Sequence, residues 1–191
     1  LGTFLALTIV GALGLDQLPD PATAWWALIP LLIAVPLFCA SLNWMADRVA
    51  YRKLREAPRL APLVSAIGIS FIYLNFGLFW GGLPMGVFNE GATAAAPKDF
   101  PALMSYNNLL GDSNITITPR EVLVFVVTIP LLIGLTCLIK FTRLGKAMRA
   151  VAQSPLAARL MGIDVDRVIG TAFFLGGALA GVASVVYALY N

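Results

Sequence analysis

Long apolar runs alternate along this chain with short charged segments. Five runs stand out, at residues 1–15, 23–46, 61–83, 121–139 and 168–190. At about 1.5 Å per residue, each of the last four is long enough to cross roughly 30 Å of hydrocarbon as a helix. The first is shorter and is expected to be the remaining end of a truncated helix. A transmembrane β-barrel needs alternating segments of about 10 residues, and the pattern has none. The expected fold is therefore all-α, a polytopic transmembrane helix bundle forming one domain over residues 1–191, with about five spans.

Composition agrees with the pattern. The chain is 59% hydrophobic and 12% charged, where soluble domains average about 25% charged. It opens without Met and closes on "VVYALYN" inside an apolar run, so it is expected to be an internal piece of a longer polypeptide. Residues 1–14 lack the basic start and cleavage site of a signal peptide. The two cysteines, Cys39 and Cys137, lie inside apolar runs and read as small buried hydrophobes. Histidine is absent and no metal-ligand spacing occurs, so neither a metal nor a cofactor is expected.

The net charge of +3 changes meaning once the charges are placed. Eleven of the thirteen Lys and Arg fall in two segments, residues 47–60 and 140–167. The intervening segments carry most of the acids, including Asp16, Asp20, Glu90, Asp99 and Asp112. Lys and Arg gather on the cytoplasmic side of membranes, so the two basic segments are expected inside. The balance reflects orientation, and nothing marks a nucleic-acid partner. The outer segment, residues 84–119, is long and rich in Gly, Pro, Asn and Ala; loops of this length are usually functional or disordered. Within it "ITIT" at residues 115–118 is a candidate short strand, and Asn114 opens a three-residue glycosylation sequon.

No Asp, Glu, Lys or Arg lies near the middle of any run. Such charges mark proton relays and ion sites, so their absence argues against a self-powered pump. It also leaves no residues for intramembrane hydrolysis. The remaining polar groups are mild. Ser65, Gly68 and Asn75 share one helical face of the third run. Asn75 either bonds to another helix or lines a polar translocation path; both readings stand at this point. In the last run Gly177 and Gly181 form a small-xxx-small pair suited to close helix packing. Pro130 and Gly134 are candidates for a kink in the fourth run.

The segment "RLGKAMRAVAQSPLAARLMGIDVDRV", residues 143–168, carries the strongest local punctuation. Arg143, Lys146, Arg149 and Gln153 oppose Leu144, Met148 and Val151, predicting an amphipathic helix continuing from the fourth run. Ser154-Pro155 then reads as an N-cap followed by a first-position proline. A two-turn helix at residues 155–161 follows, stopped by Gly162, and Asp164 or Asp166 caps the last span. So short a helix needs something to pack on. It is either an interfacial connector or a helix offered to a partner's groove, with Leu156, Leu160 and Met161 as knobs, Ala157 and Ala158 for close approach and Arg159 for a charge contact.

This segment resembles the cytoplasmic loop of permease subunits of ABC importers for branched-chain amino acids. "RLAPLVSAIGIS" at residues 59–70 and "FFLGGALAGVAS" at residues 173–184 fit the same family. The resemblance implies a coupling helix, Pro155, Leu156, Ala157, Ala158, Arg159, Leu160, Met161 and Gly162, that seats on an ATPase. Such loops follow an EAA-xxx-G pattern; here Leu156 stands where the pattern has Glu. The resemblance further implies a second permease subunit, two cytoplasmic ATPase subunits and a periplasmic substrate-binding protein, in a bacterial inner membrane. Rival readings are a secondary carrier or passive channel, an importer permease for amides or urea, and a scaffold whose basic loop binds membrane lipid.

Overall fold

The computed structural model describes residues 1–13, 28–55, 58, 60–82 and 118–190. The outer segment with its candidate strand and sequon lies outside these residues, apart from its last two positions. So do the acidic positions from Asp16 to Asp112, except Asp47, and Arg59. Seven α-helices are described: α1 (Gly2–Ala12), α2 (Leu28–Ala46), α3 (Ala61–Gly81), α4 (Pro119–Phe141), α5 (Arg143–Gln153), α6 (Pro155–Leu160) and α7 (Val165–Tyr190). Among the described residues, four helices are long and apolar enough to cross a membrane, and α1 is a shorter apolar helix. The chain is an all-α, multi-pass membrane protein.

The centre of the bundle is the seam between α2 and α7, with α1 laid against both. Ala6 and Val10 of α1, Leu31 and Val35 of α2, and Val185 and Leu189 of α7 form its buried cluster. Glycines decide how closely the seam closes. A Cβ on Gly177 would stand 2.6 Å from the Cys39 carbonyl oxygen and 2.8 Å from Ala40 Cα. One on Gly181 would stand 2.5 Å from Pro36 Cα. Lipid tails are as apolar as leucine, so burial alone gives little reason for helices to associate. Backbone-to-backbone approach supplies dispersion contacts that a larger residue would prevent.

Helices α3 and α4 are held differently. None of the apolar stretch of α4 is buried, and only 6% of that of α3. Tyr73 of α3 donates to the Leu42 carbonyl of α2 at 2.8 Å. Pro130 lies within α4, which runs unbroken from Pro119 to Phe141. The helix begins where the backbone N–H of Thr118 donates to the Glu121 carboxylate, 3.3 Å away, satisfying a donor the helix itself leaves unused. Cys137 lies exposed on α4, not buried as its apolar surroundings predict, because no described helix covers that face; Cys39 is half-buried in the α2 seam.

Two stretches beside the spans depart most from the sequence expectation. The basic segment after α2 is helical as far as Leu54, through a π-helical turn at Asp47–Tyr51 and a 3-10 turn at Arg52–Leu54. Charged side chains do not by themselves end a helix, and nothing between Ala46 and Leu54 is a proline or glycine. Conversely, α5 does not continue α4. Thr142 is extended, at φ −86° and ψ 157°, and its Oγ accepts from the Gly145 N–H at 3.0 Å as an N-cap. The corner is so tight that a side chain on Gly145 would run into the Leu138 and Ile139 carbonyls. Arg149 closes it, donating to the Ile139 carbonyl at 2.6 Å.

Candidate functional site

Helix α6 is built from its caps. Ser154 is extended, at φ −155° and ψ 107°, and its Oγ accepts from the Ala157 N–H at 3.3 Å. Such a cap contributes about 1 kcal/mol. Pro155 follows at the first helical position, where a missing N–H costs nothing. At the other end Gly162 has φ +79°, and its N–H donates to Arg159 O at 3.0 Å. The Ile163 N–H reaches back to Ala158 O, also at 3.0 Å. This pair of bonds is a Schellman motif. Any residue with a Cβ at position 162 would pay a left-handed penalty of about 1–2 kcal/mol. The helix ends at Leu160, one residue short of the expected 155–161, and Met161 is its C-cap.

The two faces of α6 have different tasks. Two positions along a helix turn the side chain by about 200°, so Ala158 points opposite Leu156 and Leu160. Ala158 is 3% exposed and packs in a cluster with Val151 of α5 and Val165 of α7, flanked by Ile163, Val168 and Ile169. That cluster is what holds a six-residue helix in place. Ala158 thus faces the loop's own core rather than outward, which corrects the expectation that both alanines serve a close approach from outside. Ala157 and Arg159 are exposed. Leu156, Leu160 and Met161 stand at 72%, 82% and 82% exposure. The departure at Leu156 therefore puts an apolar side chain on the outer surface, where a carboxylate would otherwise add charge.

Behind α6 lies an ion network that sequence reasoning missed. Asp164 caps α7, accepting from the Arg167 N–H at 3.1 Å, and pairs with the Arg167 side chain at 2.9 Å. Asp166, the other candidate cap, turns toward the end of α2 instead. It pairs with Arg55 and, at 3.3 Å, with Arg52. Arg55 also binds Asp47 at 2.7 Å, and the Asp47 side chain is 5% exposed. Arg48 of the same turn lies over the Trp44 ring, 5.1 Å from its centroid. A π-helical turn takes an extra residue and re-aims the side chains it carries; here it carries Asp47. The available signal was an aspartate set among arginines just past the end of an apolar run.

Two uncharged contacts join α2 and α7 beside this network. The Asn43 side-chain amide donates to Phe173 O at 3.1 Å. Tyr51 stacks on the Phe173 ring with centroids 5.1 Å apart. Gly170 completes the fit, since a Cβ there would meet Asp47 Oδ2 at 3.3 Å.

The polar face of α3 stands apart from this assembly. Gly68 has nothing within 4 Å of a notional Cβ. Ser65 is half-buried, and Asn75 is exposed. The Asn75 amide donates to Phe71 O of its own helix at 2.8 Å. The alternative of a bond from Asn75 to a second helix is not seen among the described residues. The structure does not bring Ser65, Gly68 or Asn75 together with α6 or with Gly177 and Gly181.

Known proteins give this geometry its context. A family model described as the permease component of branched-chain amino acid transport systems matches residues 1–191. The high-affinity branched-chain amino acid transport permease BraD of Pseudomonas aeruginosa is 33% identical, over 96% of this chain and 55% of its own length. The LivH permease of Salmonella typhimurium is 31% identical, over 97% and 56%. A probable LivH of Methanocaldococcus jannaschii is 48% identical, over 95% and 51%. The chain spans about half the length of the curated relatives it matches. No solved structure matches it. The match along the whole chain leads to one conclusion: this chain belongs to the family of permease components of branched-chain amino acid transport systems.

Proposed function

We propose that this chain is part of the membrane-spanning permease subunit of an ABC importer, and that α6 is the helix through which ATPase subunits drive it. The single observation that carries this reading is the two-faced build of α6. One face is locked into the chain by Ala158, and the other offers Leu156, Leu160 and Met161 to the surroundings. Three large apolar side chains on a rigidly capped two-turn helix fit a groove in a folded partner.

The spans support the same reading from the energetic side. Their central stretches carry no Asp, Glu, Lys, Arg or His to couple to an ion gradient. Energy then has to enter at a surface. ATP-driven closure of two cytoplasmic ATPases would displace α6 and bias the membrane helices between inward- and outward-facing states. The two basic segments, residues 47–60 and 140–167, lie on the cytoplasmic side by their Lys and Arg content. A second permease subunit pairs across the membrane path, and a periplasmic binding protein delivers solute from the other side. The solute class is branched-chain or related amino acids, on the names of the relatives. Ser65, Gly68 and Asn75 are the candidate path residues.

The test is Leu160→Glu in the full-length permease. Placing a carboxylate at the centre of the apolar face is expected to weaken ATPase retention about 30-fold, the effect of losing one interface anchor. Co-purification of the ATPases and solute uptake in vesicles are read together. Wild-type retention of the ATPases by Leu160→Glu would exclude α6 as their seat.

A further inference from the structure

We infer that Asp47, Arg55 and Asp166 are positioning residues that lock α7 to α2 at the end nearest α6. A displacement of α6 then moves α2 and α7 as one body. This deepens the importer reading and rests on it.

The path from α6 to the lock is short. Asp166 lies in the first turn of α7. Val165, its neighbour, shares a buried cluster with Ala158 of α6 and Val151 of α5. A push on α6 therefore reaches Asp166 through contacts that are already closed. Among the described residues, the ion pairs of Asp166 lead sideways to the turns that extend α2: Arg55 holds Asp166 and Asp47 together, and Arg52 adds a second, outer hold at 3.3 Å.

Chemistry makes these contacts suited to register rather than to adhesion. Taking charges out of water offsets most of their attraction, so a buried ion network adds little net stability. Removing one member strands another in a poor environment, so the network tolerates one alignment and penalises the rest. The guanidinium fork sharpens this, because it binds carboxylates at defined angles. The apolar seam further along, where Gly177 and Gly181 meet bare backbone, sets how closely the helices approach but has no such angular preference. Asn43 bonded to Phe173 O and Tyr51 stacked on the Phe173 ring extend the directional contacts by one more turn. Helix α4 joins none of these charged contacts among the described residues.

The experiment uses the full-length complex in proteoliposomes, with uptake and ATP hydrolysis measured in the same preparation. In Asp166→Asn the complex is expected to assemble and hydrolyse ATP, while solute moved per ATP falls roughly tenfold, within the usual range of coupling between sites. Asp166→Glu, which keeps the charge, restores most of the ratio. Asp164→Asn, which alters only the cap and its local pair, leaves the ratio unchanged. A wild-type ratio in an assembled Asp166→Asn complex overturns the lock. If that variant does not assemble, Arg52→Gln decides, since Arg52 is half exposed and holds only the outer contact. A fall of about twofold, in keeping with the modest value of an exposed pair, supports the lock; no change reduces the network to a folding element. Failure of the parent reading looks different: the wild-type complex would then retain no ATPase and show no ATP-dependent uptake.

Discussion

The pair α2–α7 and the helices α3 and α4 are made of similar residues and are held in opposite ways. All four are strongly apolar, and by composition alone none is marked as central. In α7 the small residues fall where α2 passes, and the two backbones touch at Gly177 and Gly181. In α3, Gly68 faces open space. In α4, Gly134 likewise meets nothing within 4 Å. A glycine is thus a packing device only where a second helix presents bare backbone. The ends differ as well. The α2–α7 pair is clamped by ions and joined to α6, while α3 is tied to α2 through Tyr73 and α4 is tied to α5 through the Thr142 corner.

The sharpest way to break this contrast is to place the same side chain at both kinds of glycine. Gly177→Leu is expected to cost about 3 kcal/mol, the upper range for overpacking a closed contact, and to lower the amount of assembled permease. Gly68→Leu should leave assembly unchanged. Both are read by detergent-solubilised unfolding and by yield of the intact complex. Equal losses at the two positions would mean that the α3 face is as tightly covered in the complex as the α2–α7 seam.

A second pair divides the two faces of α6. Ala158→Glu puts a carboxylate among Val151 and Val165, and is expected to destabilise the loop by about 2 kcal/mol, as burying an unpartnered polar group does. Ala157→Glu lies on the exposed side and should change stability by no more than about 0.5 kcal/mol while still weakening ATPase retention. Limited proteolysis of the loop separates the two. An Ala158→Glu loop as resistant as wild type would remove Ala158 from the core of the loop.

The smallest expected effect is at Asn75. Asn75→Leu should lower uptake about threefold, the equivalent of one hydrogen bond in a membrane interior, with assembly intact. Unchanged uptake in well-assembled complexes would leave Asn75 with a packing role.

Much of α6 was legible beforehand because its signals are local. Ser154, Pro155 and Gly162 act through their own backbone geometry, and each occupies the cap position that its chemistry favours. The spans were legible for a similar reason, since hydrocarbon thickness acts on any apolar run of sufficient length. Errors arose where contact with another element decided. Asp166 looked like a cap, as Asp164 is, until Arg55, just past the helical extension of α2, took it. Ala158 looked like an outward surface until Val151 and Val165 covered it. Thr142 and Gly145 end α4 through a corner that neither residue announces alone.

The sequence by itself determined the helical fold, the membrane-crossing lengths, the segregation of Lys and Arg and the punctuation of α6. Each follows from short-range physics: backbone hydrogen bonds with no water to replace them, the thickness of a bilayer, and the conformations open to serine, proline and glycine. Tertiary structure alone decided which glycines meet a neighbour's backbone, which aspartate joins the arginines and which alanine turns inward. The first two depend on residues more than a hundred positions apart, such as Gly177 with Ala40 and Arg55 with Asp166, and the third on α5 and α7 closing over α6. No local pattern records which two helices lie side by side, and that adjacency gives α6 a mechanical connection to the membrane core.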